Sequence, residues 1–71
     1  MLVHFKMIVR EGENDATLVQ RWLMICHDLP GIEPYAQLAG LGHWDGVFRV
    51  EDEAALEILR REGEVTDIER T

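Results

Sequence analysis

The sequence predicts a single α+β domain over residues 1–71, with its elements in the order β-α-β-β-α-β. Three observations lead to this prediction. Apolar residues alternate near the start of the chain, they recur twice at helical spacing, and a glycine-rich stretch joins two extended runs. Such an order predicts the ferredoxin-like plan, a four-stranded antiparallel sheet with two helices on one face, because each element then buries its apolar side.

The first strand and the first helix have the clearest patterns. Residues 2–10 alternate between apolar and polar positions, which predicts a half-buried strand. Asn14 or Asp15 is suited to cap a helix over residues 16–28, and Pro30 ends it. The inward face of the strand is expected to hold Val3, Phe5, Met7 and Val9. The apolar stripe of the helix is expected to hold Leu18, Val19, Trp22, Leu23, Ile25, Cys26 and Leu29.

Two further strands are expected to form a hairpin. The second covers residues 32–41, and Pro34 near its start favours an edge position. The third covers residues 46–50. Its alternation directs Phe48 and Val50 toward the helices.

The last helix and strand leave one face of the sheet uncovered. Asp52 is expected to cap a helix over residues 53–62, and Gly63 suits a left-handed position just after it. A short strand then covers residues 65–69. Since both helices lie on one side, we expect the opposite face to meet a second sheet in a dimer. The first strand presents to this face Leu2, His4, Lys6, Ile8 and Arg10.

Composition narrows the classes of function. The net charge is −7, from fourteen acidic and seven basic residues, which argues against nucleic-acid binding. No apolar run approaches the length of a membrane span, and the start of the chain does not resemble a signal peptide. Cys26 is the only cysteine, which favours a reducing, cytoplasmic setting. The three histidines and Cys26 lack the spacing of a metal site, so we expect no metal and no cofactor.

The segment from Gly40 to Val50 is the best candidate for a recognition site. It holds three glycines, a histidine, a tryptophan and an aspartate within eleven residues. Glycine allows tight turns and the close approach of a ligand, and tryptophan on a hairpin requires a packing partner. Hairpin geometry alone also explains the glycines and Asp45. The predicted ligand-binding residues are Gly42, His43, Trp44 and Asp45.

The order of elements and several short motifs resemble the ligand-binding domain of the Lrp/AsnC family. The matching text is Leu29-Pro30-Gly31-Ile32, then Gly42-His43-Trp44-Asp45, then Val47-Phe48-Arg49-Val50-Glu51-Asp52, and a closing strand from Val65 to Thr71. The resemblance implies a homodimer formed by sheet-to-sheet packing, with an amino acid or related metabolite near the Gly-x-x-Asp turn. ACT domains, which also sense amino acids, share the same order of elements.

The leading functional prediction is a homodimeric module that senses a small amino-acid-like molecule or drives oligomerisation, without enzymatic activity. One alternative is a small acidic inhibitor or decoy of a basic nucleic-acid-binding surface. It requires the acidic side chains to form one negative stripe. Another alternative is a minimal enzyme of the dimeric α/β-barrel type. It requires a cavity between sheet and helices that reaches His4 or His43.

Overall fold

The computed structural model confirms the predicted α+β class and order of elements. The elements are β1 (Leu2–Met7), α1 (Asp15–His27), β2 (Ile32–Gly40), β3 (His43–Val50), α2 (Glu53–Glu62) and β4 (Gly63–Glu69). The structure describes residues 1–40 and 43–70, and at residues 37–40 and 43 it describes the backbone alone. The strands form one sheet in the order β2-β3-β1-β4, and all neighbouring pairs are antiparallel. This is the ferredoxin-like arrangement.

Both helices begin at polar caps that the sequence predicts. The Asn14 side chain accepts a hydrogen bond from the Thr17 N–H at 3.0 Å, and the Thr17 hydroxyl accepts one from the Asn14 N–H at 2.9 Å. The Asp52 carboxylate accepts a hydrogen bond from the Ala55 N–H at 2.9 Å. These contacts satisfy N–H groups that have no partner inside the helix. Neither helix in the described part of the chain is long and apolar enough to cross a membrane.

The hydrophobic core lies between the two helices and one face of the sheet. Phe5, Phe48 and Trp22 form its centre, and each ring centroid lies 5.6–6.4 Å from the next. The other buried members are Val3, Met7, Leu18, Ile25, Cys26, Ile32, Val50, Ala55, Leu56 and Leu59. Phe48 and Val50 therefore face the helices as predicted, and the strand with Pro34 is an edge strand.

Three apolar residues expected in the core are exposed. The side chain of Val9 is 58% exposed because β1 ends at Met7, two residues before it. Val19 and Leu23 are 43% and 50% exposed. The buried positions of α1 form a narrower arc than predicted, and both residues lie on the side of the helix that turns away from the sheet.

The strands also differ from their predicted limits. The third strand begins at His43 instead of residue 46, and the fourth begins at Gly63 instead of residue 65. Gly63 does not adopt the predicted left-handed conformation, since its φ of 177° is ordinary extended backbone. The reason for a glycine here is close packing, because a Cβ would lie 2.2 Å from the Lys6 carbonyl oxygen. The chain thus passes directly from α2 into a strand pressed against β1.

Candidate functional site on the open sheet face

The face of the sheet that carries no helix is the candidate functional surface. Side chains alternate along β1, so Val3, Phe5 and Met7 are buried while His4 and Lys6 are exposed on the other side. Residues directly opposite each other on neighbouring strands share a face. The pairing of the strands therefore fixes which residues form the open face.

One row of the open face alternates in charge. Lys6 on β1 lies opposite Asp45 on β3 and opposite Glu64 on β4. In the described part of the chain, no side-chain hydrogen bond or ion pair engages any of these three residues. A cation and two carboxylates thus remain available to a ligand or a second protein.

The next row is neutral and borders a depression. His4 lies opposite Val47 on one side and Thr66 on the other, and Ala36 follows Val47 on β2. This row and the charged row together surround a depression of about 270 Å³. It is lined by His4, Phe5, Lys6, Ala36, Asp45, Gly46, Val47, Glu64 and Thr66. Its floor is apolar and its rim carries both signs of charge.

A second depression of about 660 Å³ continues across the lower part of the face. Its lining includes Leu2, Val47 and Ile68, with Tyr35 on the β2 side. Tyr35 is 60% exposed, and the Arg49 guanidinium carbon lies 5.6 Å from its ring centroid. A cation over an aromatic face is an attractive contact. Arg49 therefore already has a partner within its own chain.

The predicted site residues do not converge on one face. Trp44 and Asp45 are neighbours in β3, so they point to opposite sides of the sheet. Asp45 borders the depression on the open face. His43 begins β3, and its backbone pairs with Gly40. Gly42 lies outside the described residues.

Trp44 packs toward the helices. Its ring centroid lies 6.0 Å from that of Trp22, with an angle of 53° between the planes. Trp22 is 4% exposed and belongs to the core, and Trp44 packs against that core as a partly buried residue. The packing partner that the sequence demands for Trp44 is therefore supplied by α1.

Asp45 and Gly46 are strand residues and not parts of a turn. Asp45 pairs with Lys6 and with Leu38, and Gly46 pairs with Phe5 and Gln37. From the sequence, hairpin geometry is the simplest explanation of an aspartate and a glycine here. The observed strand pairing shows that neither residue lies in the turn. Asp45 is thus the predicted site residue whose side chain borders the open-face depression.

Among the side chains that the structure describes, the other reactive groups do not form a second site. No group of three or more His, Cys, Asp or Glu residues in the described ranges is close enough to hold a metal ion. Cys26 is buried, and burial raises the pKa of its thiol, so the thiolate that a nucleophile requires is disfavoured. His4 lies on the open face, away from the packed space between sheet and helices where the enzyme hypothesis requires a cavity.

The acidic side chains are interspersed with arginines. Arg21 donates hydrogen bonds to Glu13 at 2.7 Å and to Glu62 at 3.1 Å. Arg70 pairs with Glu53 at the start of α2. These ion pairs place arginines beside three of the fourteen acidic side chains, and the decoy of a basic surface stays a prediction.

Sequence reasoning missed Glu64, Thr66 and Lys6 as members of the candidate site. Their proximity to Asp45 depends on pairing between strands that are far apart in the chain. A signal for Lys6 is present in the sequence, since the alternation of the first strand places it on the uncovered face. The final strand carries a weaker signal, because its predicted limits begin only at Val65 and exclude Glu64.

Comparison of the chain with protein families, with curated proteins and with solved structures yields no significant match. The resemblance to the Lrp/AsnC ligand-binding domain rests on the motifs in the sequence. The function proposed below therefore rests on the open face of the sheet.

Proposed function

We propose that the chain is a homodimeric module that binds a small amino-acid-like molecule between two open sheet faces. The observation that carries this proposal is the depression whose rim holds Lys6, Asp45 and Glu64 without partners in the described part of the chain. A second copy covering this face would turn an open depression into an enclosed cavity. Enclosure strengthens recognition because ligand sites generally bury most of their ligand.

The edges of the sheet support assembly through the face. The pairing of β2 with β3 shifts register between Pro34 and Ala36, and proline lacks the N–H that a neighbouring strand would need. On the opposite edge, the pairing of β4 with β1 shifts register, and Asp67 has a φ of 45°. Bulges and proline on edge strands hinder the addition of another strand. The open face is therefore the more favourable surface for self-association.

The chemistry of the depression supports a zwitterionic ligand. An α-amino acid carries an ammonium group and a carboxylate on one carbon. The Lys6 ammonium group has three N–H donors, so it can donate to a ligand carboxylate and to a second acceptor at once, and Glu64 can accept from a ligand ammonium group. Thr66 adds a hydroxyl that both donates and accepts. The apolar floor at Val47 and Ala36 accommodates a short side chain.

Two measurements on the same preparation test this proposal. Size-exclusion chromatography with light scattering at tens of micromolar should give the mass of a dimer. A thermal-shift screen with a panel of amino acids should raise the melting temperature for at least one member. Glu64→Gln should lose that shift, whereas Glu57→Gln, which alters an exposed carboxylate on α2, should retain it.

Trp44→Ala separates the two sheet faces in this assay. Because Trp44 packs on Trp22, the variant should melt at a lower temperature and still respond to the ligand. A monomeric wild-type chain, with and without the panel, would refute the homodimer. A dimer that no member of the panel stabilises would refute the ligand class.

A further inference from the structure

We propose that the dimer places Lys6 of each subunit against Asp45 of the partner subunit, around a two-fold axis parallel to β1 and β3 and midway between them. This inference rests on the proposed homodimer and specifies how its faces meet. It follows from the position of two opposite charges on the two central strands.

The order of the strands places the proposed two-fold axis between Lys6 and Asp45. In the order β2-β3-β1-β4, the centre of the sheet lies between β3 and β1. Lys6 and Asp45 are direct cross-strand partners on these two strands. A two-fold axis parallel to the strands keeps each residue at the same height along the strand direction. It places β1 of one subunit over β3 of the other. Lys6 then faces the partner subunit's Asp45, and the same contact repeats on the other side of the axis.

Burial of the face in a dimer favours this pairing. Packed sheets lie about 10 Å apart, so a long lysine side chain and a short aspartate together span the gap. A charge that loses water without gaining a partner is costly, and removing one member of a buried pair is strongly destabilising. Neither residue has an ion-pair partner in the described part of its own chain. In the proposed dimer, the partner subunit supplies a carboxylate to Lys6 and an ammonium group to Asp45.

The other simple axis gives a poorer match. A two-fold axis across the strands would reverse the rows and bring Asp45 near the partner subunit's Arg49. Lys6 would then face the partner subunit's Leu2, because Leu2 lies opposite Arg49 in the sheet. That arrangement leaves the lysine unpaired. It also pairs Asp45 with an arginine that already packs over Tyr35 in its own chain.

Charge reversal tests the arrangement. Lys6→Glu faces the partner subunit's Asp45 with a second acid, and Asp45→Lys faces the partner subunit's Lys6 with a second base. Each variant alone should dimerise at least about tenfold more weakly than wild type, since like charges in an interface cost several kcal/mol. Arg60→Glu is the matched control, because Arg60 is exposed on α2 and its reversal should leave dimerisation unchanged.

An equimolar mixture of Lys6→Glu and Asp45→Lys is the decisive measurement. In a mixed dimer the two substituted positions face each other with opposite charges, and the unsubstituted Asp45 and Lys6 face each other as in the wild type. The contacts of each substituted residue within its own chain are the same in the mixed dimer as in the homodimer. Any recovery of dimerisation in the mixture therefore comes from the contact between subunits. Native mass spectrometry should show the mixed dimer in large excess over either homodimer.

The outcomes separate the two proposals. A monomeric wild-type protein overturns the proposed function itself. A wild-type dimer that Lys6→Glu leaves intact, or a mixture without preferential mixed dimers, overturns the pairing alone. Circular dichroism of each single variant checks folding. Should one variant not fold, Lys6→Gln and Asp45→Asn replace the reversals, and a wild-type dimer that both leave at full affinity overturns the pairing.

Discussion

Replacement of Gly63 by alanine is expected to be among the most damaging single-methyl additions in this chain. A Cβ at this position would lie 2.2 Å from the Lys6 carbonyl oxygen and 2.8 Å from both the Met7 Cα and the Phe5 Cε1. Two of these atoms belong to the backbone of β1 and cannot move without breaking its pairing with β4. The phenyl ring is buried in the core and has little room. The substitution therefore forces the two strands apart.

The expected cost is large relative to the stability of a domain of this size. Overpacking a well-packed site costs about 1–3 kcal/mol, and contact with backbone places Gly63→Ala at about 3 kcal/mol. A 71-residue chain is expected to have about 4–10 kcal/mol of unfolding free energy. The variant should therefore lose roughly a third or more of its stability, which corresponds to a fall in melting temperature on the order of 12–24 °C.

Urea unfolding followed by tryptophan fluorescence measures this change, since Trp22 is buried in the core. Gly12→Ala is a matched control. Gly12 has a φ of 85°, and a Cβ there would meet nothing within 4 Å, so only backbone strain of about 1 kcal/mol is added. If Gly63→Ala proved no less stable than Gly12→Ala, close packing would not be the reason for this glycine.

Three further substitutions test the cap, the core and the pH response. Asn14→Ala removes the acceptor for the Thr17 N–H and should lower the unfolding free energy by about 1 kcal/mol in urea titrations. Phe48→Ala empties the centre of the aromatic core and should cost about 3–5 kcal/mol by the same measurement, with a smaller loss arguing that the core collapses around the gap. The hydrogen bond from the Arg10 N–H lowers the pKa of Glu13 in the folded state. A lowered folded pKa stabilises the protein above the unfolded carboxyl pKa of about 4.3, and this contribution is lost as the pH falls through the folded value. Glu13→Gln should therefore flatten the dependence of melting temperature on pH in this acidic range, and an unchanged slope would contradict the assignment.

The sequence is sufficient for the parts of the fold that local patterns determine. Asp52 and the periodicity after it predict α2 at its observed limits, Glu53–Glu62. The alternation through Phe5 and Met7 identifies the buried face of β1. Gly63 cannot be interpreted locally. Its cause is the approach of β1, which lies more than fifty residues earlier in the chain.

The candidate site is only partly predictable for a related reason. The predicted third strand begins at residue 46, so its alternation assigns no face of the sheet to Trp44 or Asp45. Phe48 faces the core, so positions 44 and 46 must face it as well, and Asp45 must face the other way. An error of two residues in the position of the strand does not change this conclusion. Side chains alternate with a period of two, so only a shift by an odd number of residues exchanges the two faces. The face of each residue is therefore accessible from the sequence once the strand is correctly delimited.

The cross-strand neighbours of Asp45 are not accessible in the same way. Lys6 and Glu64 lie beside one another only because three strands from distant parts of the chain pair in a particular register. Their charges have no partners in the described part of the chain, although the same chain pairs Glu13, Glu62 and Glu53 with arginines elsewhere. In the proposed dimer, a second copy of the open face brings a group of opposite charge to Lys6 and to Asp45.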